Sequence, residues 1–166
     1  MLNPYAISGV LRNFPANHNT ALVAPVHPCV YEGLRVNRKA CNLRNAVVIV
    51  AAGKGIRAGG EIAKQWRPIA GRTAVEWSVQ AFQNHPDIDD IVLVLHADEM
   101  DKASGFVNLK TVCGGADRAK SVLAGLQALA GSPPDNVLIH DVARPCISTK
   151  VISEVIAALK THQGAA

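Results

Sequence analysis

The chain has 166 residues, 49% hydrophobic and 18% charged, enough for one ordinary domain with a tail. That composition excludes a disordered, collagen-like or highly charged fibrous protein. Lys and Arg number 17 against 13 Asp and Glu, a net charge of +4 that points at first to a polyanionic partner.

Residues 1–44 carry all of that excess: Arg12, Arg35, Arg38, Lys39 and Arg44 stand against the single acid Glu32. The remaining 12 basic and 12 acidic residues leave 45–166 formally neutral, so a nucleic-acid partner is not expected. No period is sustained across 1–44, because Pro4, Pro15, Pro25 and Pro28 interrupt it. This segment reads as an unstructured extension, as the product of an upstream start codon, or as a targeting peptide. A domain boundary is placed at 44/45.

Beyond the boundary the pattern changes. Ala46–Val50 is a continuous run, mostly β-branched, as in a strand buried on both faces. A glycine-rich loop follows, then a helix over 74–84 with Val75, Val79 and Phe82 at helical spacing. Strands are predicted at 90–96, 109–113 and 136–140. A helix over 117–130 is expected to turn Val122, Leu123, Leu126 and Leu129 inward, and Ser148 is placed to cap another carrying Val151, Ile152, Val155, Ile156 and Leu159. Alternating strands and helices imply an α/β three-layer sandwich around a mostly parallel sheet, Rossmann-like, with ligand loops beyond the carboxyl ends of the strands.

The apolar runs at 45–52 and 91–95 fall far short of the ~20 residues that span a membrane. Cys29, Cys41, Cys113 and Cys146 form no C-x-x-C pair and no signal peptide is present, which suggests reduced, partly buried thiols in a cytoplasmic protein. The histidines do not cluster at metal-ligand spacing.

Three segments at strand ends carry chemistry. The first, 51–60, is Ala-Ala-Gly-Lys-Gly-Ile-Arg-Ala-Gly-Gly, with Lys64 close behind. Its glycines let backbone N–H groups face an anion, and Lys54, Arg57 and Lys64 supply positive charge suited to a triphosphate. Plain turn chemistry is the structural alternative. Gly53–Ala58 also fits the relaxed G-x-G-x-x-A of a nicotinamide dehydrogenase, but Pro68 and Gly71 interrupt the helix that motif requires, and Glu76 lies before the strand at 90 rather than at its end. In the second segment, Gly114-Gly-Ala-Asp-Arg-Ala-Lys-Ser121, two glycines open a helix whose free N–H groups favour an anion or a base edge. Arg118 and Ser121 are expected on one face, with Asp117 at the helix start. In the third, His140-Asp-Val-Ala-Arg-Pro145, Asp141 at a strand end suits Mg²⁺ or a sugar hydroxyl, and Arg144 can neutralise phosphate or orient Asp141. A structural Asp141–Arg144 ion pair is the alternative, and His140 reads as a core histidine. With no G-x-S-x-G and no Cys–His pairing, the set fits transfer at phosphorus, where positioning and electrostatics dominate.

These residues, Ala51-Ala-Gly-x-Gly-x-Arg57, Lys64-Gln65, Gly114-Gly-x-x-Arg118-x-x-Ser121 and His140-Asp-x-Ala-Arg-Pro145, resemble the 2-C-methyl-D-erythritol 4-phosphate cytidylyltransferase family in order and spacing. Residues 57–71 are most similar to the version fused to a cyclodiphosphate synthase. The resemblance implies a nucleotide-diphospho-sugar transferase type of fold, CTP and methylerythritol phosphate as substrates, a divalent cation such as Mg²⁺, and a homodimer. It implies that Arg57 and Lys64 are catalytic, and that Ala51, Ala52, Gly53 and Gly55 line the triphosphate. Gly115 and Ser121 would recognise cytosine with Arg118 and Arg144 nearby, and Asp141 would meet ribose and metal. Ala63 stands where the family usually has Pro, Ala116 where it often has an acid, and Val142 where it commonly has Ala. By the same resemblance the family's domain continues past Ala166, so a partial CTP site with little transferase activity and an exposed sheet edge is expected. Another sugar-nucleotide pyrophosphorylase, a dehydrogenase and a non-catalytic fragment are the alternatives.

Overall fold

The computed structural model describes residues 9–12, 43–53 and 63–165. Among these, β1 (Gly9–Arg12), β7 (Asn136–Asp141), β2 (Asn45–Val50), β5 (Asp90–Leu95) and β6 (Lys110–Cys113) form one sheet in that spatial order. The four strands from β7 to β6 are parallel, and β1 runs antiparallel along the outer edge of β7. A two-stranded hairpin, β3 (Pro68–Ile69) and β4 (Arg72–Thr73), stands apart. The helices are α1 (Ala74–Gln83), α2 (Arg118–Leu129) and α3 (Thr149–Ala158), with 3₁₀ turns at Lys64–Trp66 and Ala97–Gly105.

The unbroken apolar run of β2 has a direct packing cause. Val47 and Ile49 point to one face, where Val75, Val79 and Phe82 of α1 and Ile152, Val155 and Ile156 of α3 cover them. Ala46 and Val48 point to the other, against Leu126 and Leu129 of α2. Each fully buried Val or Ile stabilises the fold by roughly 1.5–3 kcal/mol, so both faces of this strand contribute. The three-layer sandwich expected from the sequence is present.

Several local expectations need correction. Leu123 is 48% exposed; the inward face of α2 is centred instead on Gly125, where a Cβ would come within 2.3 Å of Val48 Cγ1. Glycine inside a helix costs about 1 kcal/mol relative to alanine, yet here it lets α2 lie close on the sheet. Cys113 and Cys146 are exposed free thiols rather than partly buried ones, while Cys29 and Cys41 lie outside the described residues. Strand β1 arises within the segment expected to lack regular structure, pairing Gly9–Arg12 with Ile139–Asn136. Among the described residues no helix is long and apolar enough to cross a membrane.

Helix starts follow the sequence signals closely. Ser148 Oγ accepts from the Val151 N–H and Asp117 Oδ1 from the Lys120 N–H. At α1 the capping box is complete: Glu76 N–H donates to Thr73 Oγ1, and Thr73 N–H donates to Glu76 Oε2. The bond from the Thr73 backbone, then that from its hydroxyl, hold the Glu76 carboxyl below its ordinary value of 4.5. A depressed folded-state pKa means stability that is complete above the unfolded value and lost as pH falls through the folded one. Glu76→Ala is therefore expected to lower stability at neutral pH. In urea titrations at stepped pH, the difference from wild type should shrink as pH drops below the ordinary carboxylate range.

Candidate functional site

Strand register brings the selected segments together. Val50 of β2 lies opposite Asp141 of β7 on one side and Val94 of β5 on the other, while Leu95 lies opposite Cys113 of β6. Residues 51–53, 114–118 and 141–144 therefore leave the sheet at one level, at the carboxyl ends of the parallel strands. The chain passes from β2 to β5 and β6 on one side, then returns to β7 on the other, which is where such sheets open a ligand crevice.

Contacts at this end are close. A Cβ on Gly114 would sit 2.4 Å from Ala52 Cβ and 2.8 Å from Ser121 Oγ, so glycine is what permits the first and second loops to touch. A Cβ on Gly115 would meet Lys120 Cβ at 2.3 Å. Ser121, 2% exposed, donates its hydroxyl to the Asp117 carbonyl at 2.8 Å and accepts from the Gly115 N–H at 3.2 Å. Ser121 thus folds the 114–121 loop onto itself. Arg118, three positions before Ser121 in the first turn of α2, is exposed where Ser121 is buried.

Arg118 Nε donates to Asp141 Oδ1 at 3.0 Å. The sequence offered an Asp141–Arg144 ion pair only as the structural alternative. Arg144 is instead exposed, and its backbone N–H donates to the Asp141 carbonyl in the turn after β7. The Arg118–Asp141 pair spans the ends of β2 and β5, which lie between β6 and β7. With side chains 51% and 26% exposed, it contributes at most about 1 kcal/mol to stability. Its consequence is electrostatic: it holds a cation and a carboxylate over the crevice.

On the first loop, the buried Gln65 side chain donates from Nε2 to the carbonyls of Ala51 (3.2 Å) and Gly53 (2.9 Å) and to Glu99 Oε2 (3.1 Å). Glu99 carried no signal in the sequence. Lys64 is exposed at the head of the 3₁₀ turn that buries Gln65. Lys54, Gly55 and Arg57 lie outside the described residues. His140 is fully buried, edge-on to Phe82 at 5.1 Å, and belongs to the core. Among the described residues no three His, Cys, Asp or Glu side chains converge as a metal cage. A cavity of about 370 Å³ bordered by Trp66, Glu76, Lys102 and Phe106 includes none of the catalytic or nucleotide-binding candidates. The convergent loops and the Arg118–Asp141 pair lie at the strand ends instead, and they make up the candidate site.

Comparison with known proteins identifies the family. The family model of 2-C-methyl-D-erythritol 4-phosphate cytidylyltransferase matches residues 45–166. The chain belongs to this family. It is 50% identical over 129 residues to the Roseobacter denitrificans protein named 2-C-methyl-D-erythritol 4-phosphate cytidylyltransferase, covering 75% of this chain and 57% of that one. It is 48% identical over 126 residues to the bifunctional enzyme IspD/IspF of Ruegeria pomeroyi, covering 75% and 33% respectively. The crystal structure of 4-diphosphocytidyl-2C-methyl-D-erythritol synthase from Anaerococcus prevotii superposes with a TM-score of 0.62 at 27% identity, over 76% of this chain and 55% of that one. The chain thus spans little more than half the length of the single-function relatives it matches. Membership of a nucleotidyltransferase family leaves the dehydrogenase alternative without support.

The contact of Gly114 with Ala52 and Ser121 is directly testable. Gly114→Ala should destabilise the protein by about 1–3 kcal/mol, as expected for overpacking. Gly131→Ala, where a Cβ meets nothing within 4 Å, should stay within about 0.5 kcal/mol of wild type. Chemical denaturation of the two variants side by side measures both.

Proposed function

We propose that residues 45–166 form the nucleotide-binding part of an enzyme that joins CTP to 2-C-methyl-D-erythritol 4-phosphate. In that reaction an oxygen of the substrate phosphate attacks the α-phosphorus of CTP. The bond to the β-phosphate breaks, and pyrophosphate leaves with the electron pair. The observation that carries the reading is the meeting of the 51–53, 114–121 and 141–144 segments at the carboxyl ends of β2, β6 and β7. Family membership supports it.

Each residue then has a physical task. Ala51, Ala52 and Gly53, continued by Gly55, line the triphosphate with backbone, because small side chains allow close approach. Lys64, with Arg57, neutralises the charge that grows on the leaving oxygens, a contribution that strengthens when water is excluded. Gly115 offers backbone to the cytosine edge. Ser121 serves that recognition through the loop it holds. Arg118 and Arg144 balance phosphate charge beside Asp141.

The family chemistry includes a divalent cation, taken here as Mg²⁺. Mg²⁺ is commonly held by one or two carboxylates together with substrate phosphates and water. A half-buried carboxylate at a strand end fits that donor set. Asp141, which also accepts from Arg118, would hold the cation. Bound with the triphosphate, the cation would neutralise phosphate charge. A homodimer and a cytoplasmic location complete the proposal.

Calorimetric titration with CTP, ATP and NAD in Mg²⁺ buffer tests the reading. CTP should bind at least about tenfold more tightly than ATP, a difference of about 1.4 kcal/mol, and NAD should not bind. Lys64→Ala should weaken CTP by a similar factor. Binding of NAD without CTP, or Lys64→Ala binding CTP as wild type does, contradicts the proposal.

A further inference from the structure

We infer that Glu99 is a positioning residue for the nucleotide loop, acting through the side-chain amide of Gln65. The inference rests on the reading of 51–53 as the triphosphate loop. Glu99 lies in the Ala97–Gly105 turn, its side chain only 12% exposed. A buried-side carboxylate close to a proposed polyanion site is unfavourable unless its charge is engaged elsewhere. Here both oxygens are engaged: Oε2 accepts from Gln65 Nε2 at 3.1 Å, and Oε1 faces Lys102 Nζ at 3.6 Å.

The Gln65 amide has two possible orientations, related by a flip that exchanges its oxygen and nitrogen. Its nitrogen is surrounded by three oxygens: Ala51 O, Gly53 O and Glu99 Oε2. Flipping the amide would set its own carbonyl oxygen against all three. Two of those acceptors are neutral carbonyls, and the third is the charged one, whose bond is the stronger type. Glu99 therefore supplies the acceptor that most firmly commits the amide nitrogen to the loop.

The loop consequence follows from peptide geometry. In a trans peptide the N–H points opposite to the C=O, and no cis bonds occur among the described residues. Drawing the Ala51 carbonyl toward Gln65 therefore turns the Ala52 N–H away from it. The same residues fix the turn that carries Lys64. Lys102 Nζ lies 4.9 Å over the Trp66 ring and Trp66 packs on Phe106. Gln65 and Trp66 are thus both clamped to the 97–106 segment, and exposed Lys64 is left at the free side of the turn.

The test uses the full chain with Glu99→Leu, which removes the acceptor, and Glu99→Gln, which keeps one oxygen for Gln65. Two readouts are taken: the NMR resonances of the Gln65 side-chain amide and of the Ala52 and Gly53 backbone amides, and calorimetric affinity for CTP with Mg²⁺. Glu99→Leu should shift those resonances and weaken CTP at least fivefold, with a circular dichroism spectrum like that of wild type. Glu99→Gln should recover most of the affinity. Unmoved resonances in Glu99→Leu, moved resonances with unchanged CTP affinity, or no recovery by Glu99→Gln would each overturn the inference. Should Glu99→Leu not fold, Glu99→Ser leaves the acceptor position equally empty and takes its place. If wild type binds no CTP while the resonances respond as stated, the proposed function falls and Glu99 still positions the loop.

Discussion

The pairing of β2 on both sides is the constraint on which the remaining structure depends. Parallel partners with Val50 level with Val94 and Asp141 force the exits of β2, β5 and β7 to one end of the sheet. Both faces of β2 are then closed by helices, which removes water from the strand and leaves its loop as the first place where polar chemistry can occur. Gly125 and Gly114 carry that constraint outward. One brings α2 down onto Val48, and the other lets the loop before α2 touch Ala52. The site is a by-product of how tightly the layers approach.

Charge is then distributed by topology rather than by neighbourhood in sequence. Asp141 meets Arg118, the first residue of α2, while Arg144 beside it turns to solvent. Because a half-exposed pair contributes little to stability, its placement across the crevice matters more than its strength. Ser121 and Gln65 play the complementary part of holding backbone in place, one in each loop, with their polar groups directed inward.

Much of the fold was legible because the responsible interactions are local. The β-branched run of β2, the apolar spacing of α1 and α3, and the caps Asp117 and Ser148 are each written within a few residues. What escaped is non-local or too short to carry a period. Leu123 fits a helical stripe by spacing, but the inward face is decided by Gly125 against Val48 on another strand. Strands β3 and β4 have two residues each, and their turn places Ala70 and Gly71 at positive φ, a choice Ala does not announce. Edge strand β1 lies among prolines, and its pairing depends on β7 far along the chain. At the site, Gln65 was visible only as part of a motif, and Glu99, 34 positions on, had no pattern to mark it.

The central claim is that the nucleotide site lies at the carboxyl ends of the parallel strands. Mapping amide chemical-shift changes as CTP and Mg²⁺ are added tests this most directly. The account predicts that the largest changes fall on Ala51–Gly53, Gly114–Arg118 and Asp141–Arg144. Changes centred instead on Trp66, Glu76, Lys102 and Phe106, around the cavity beside α1, would contradict it.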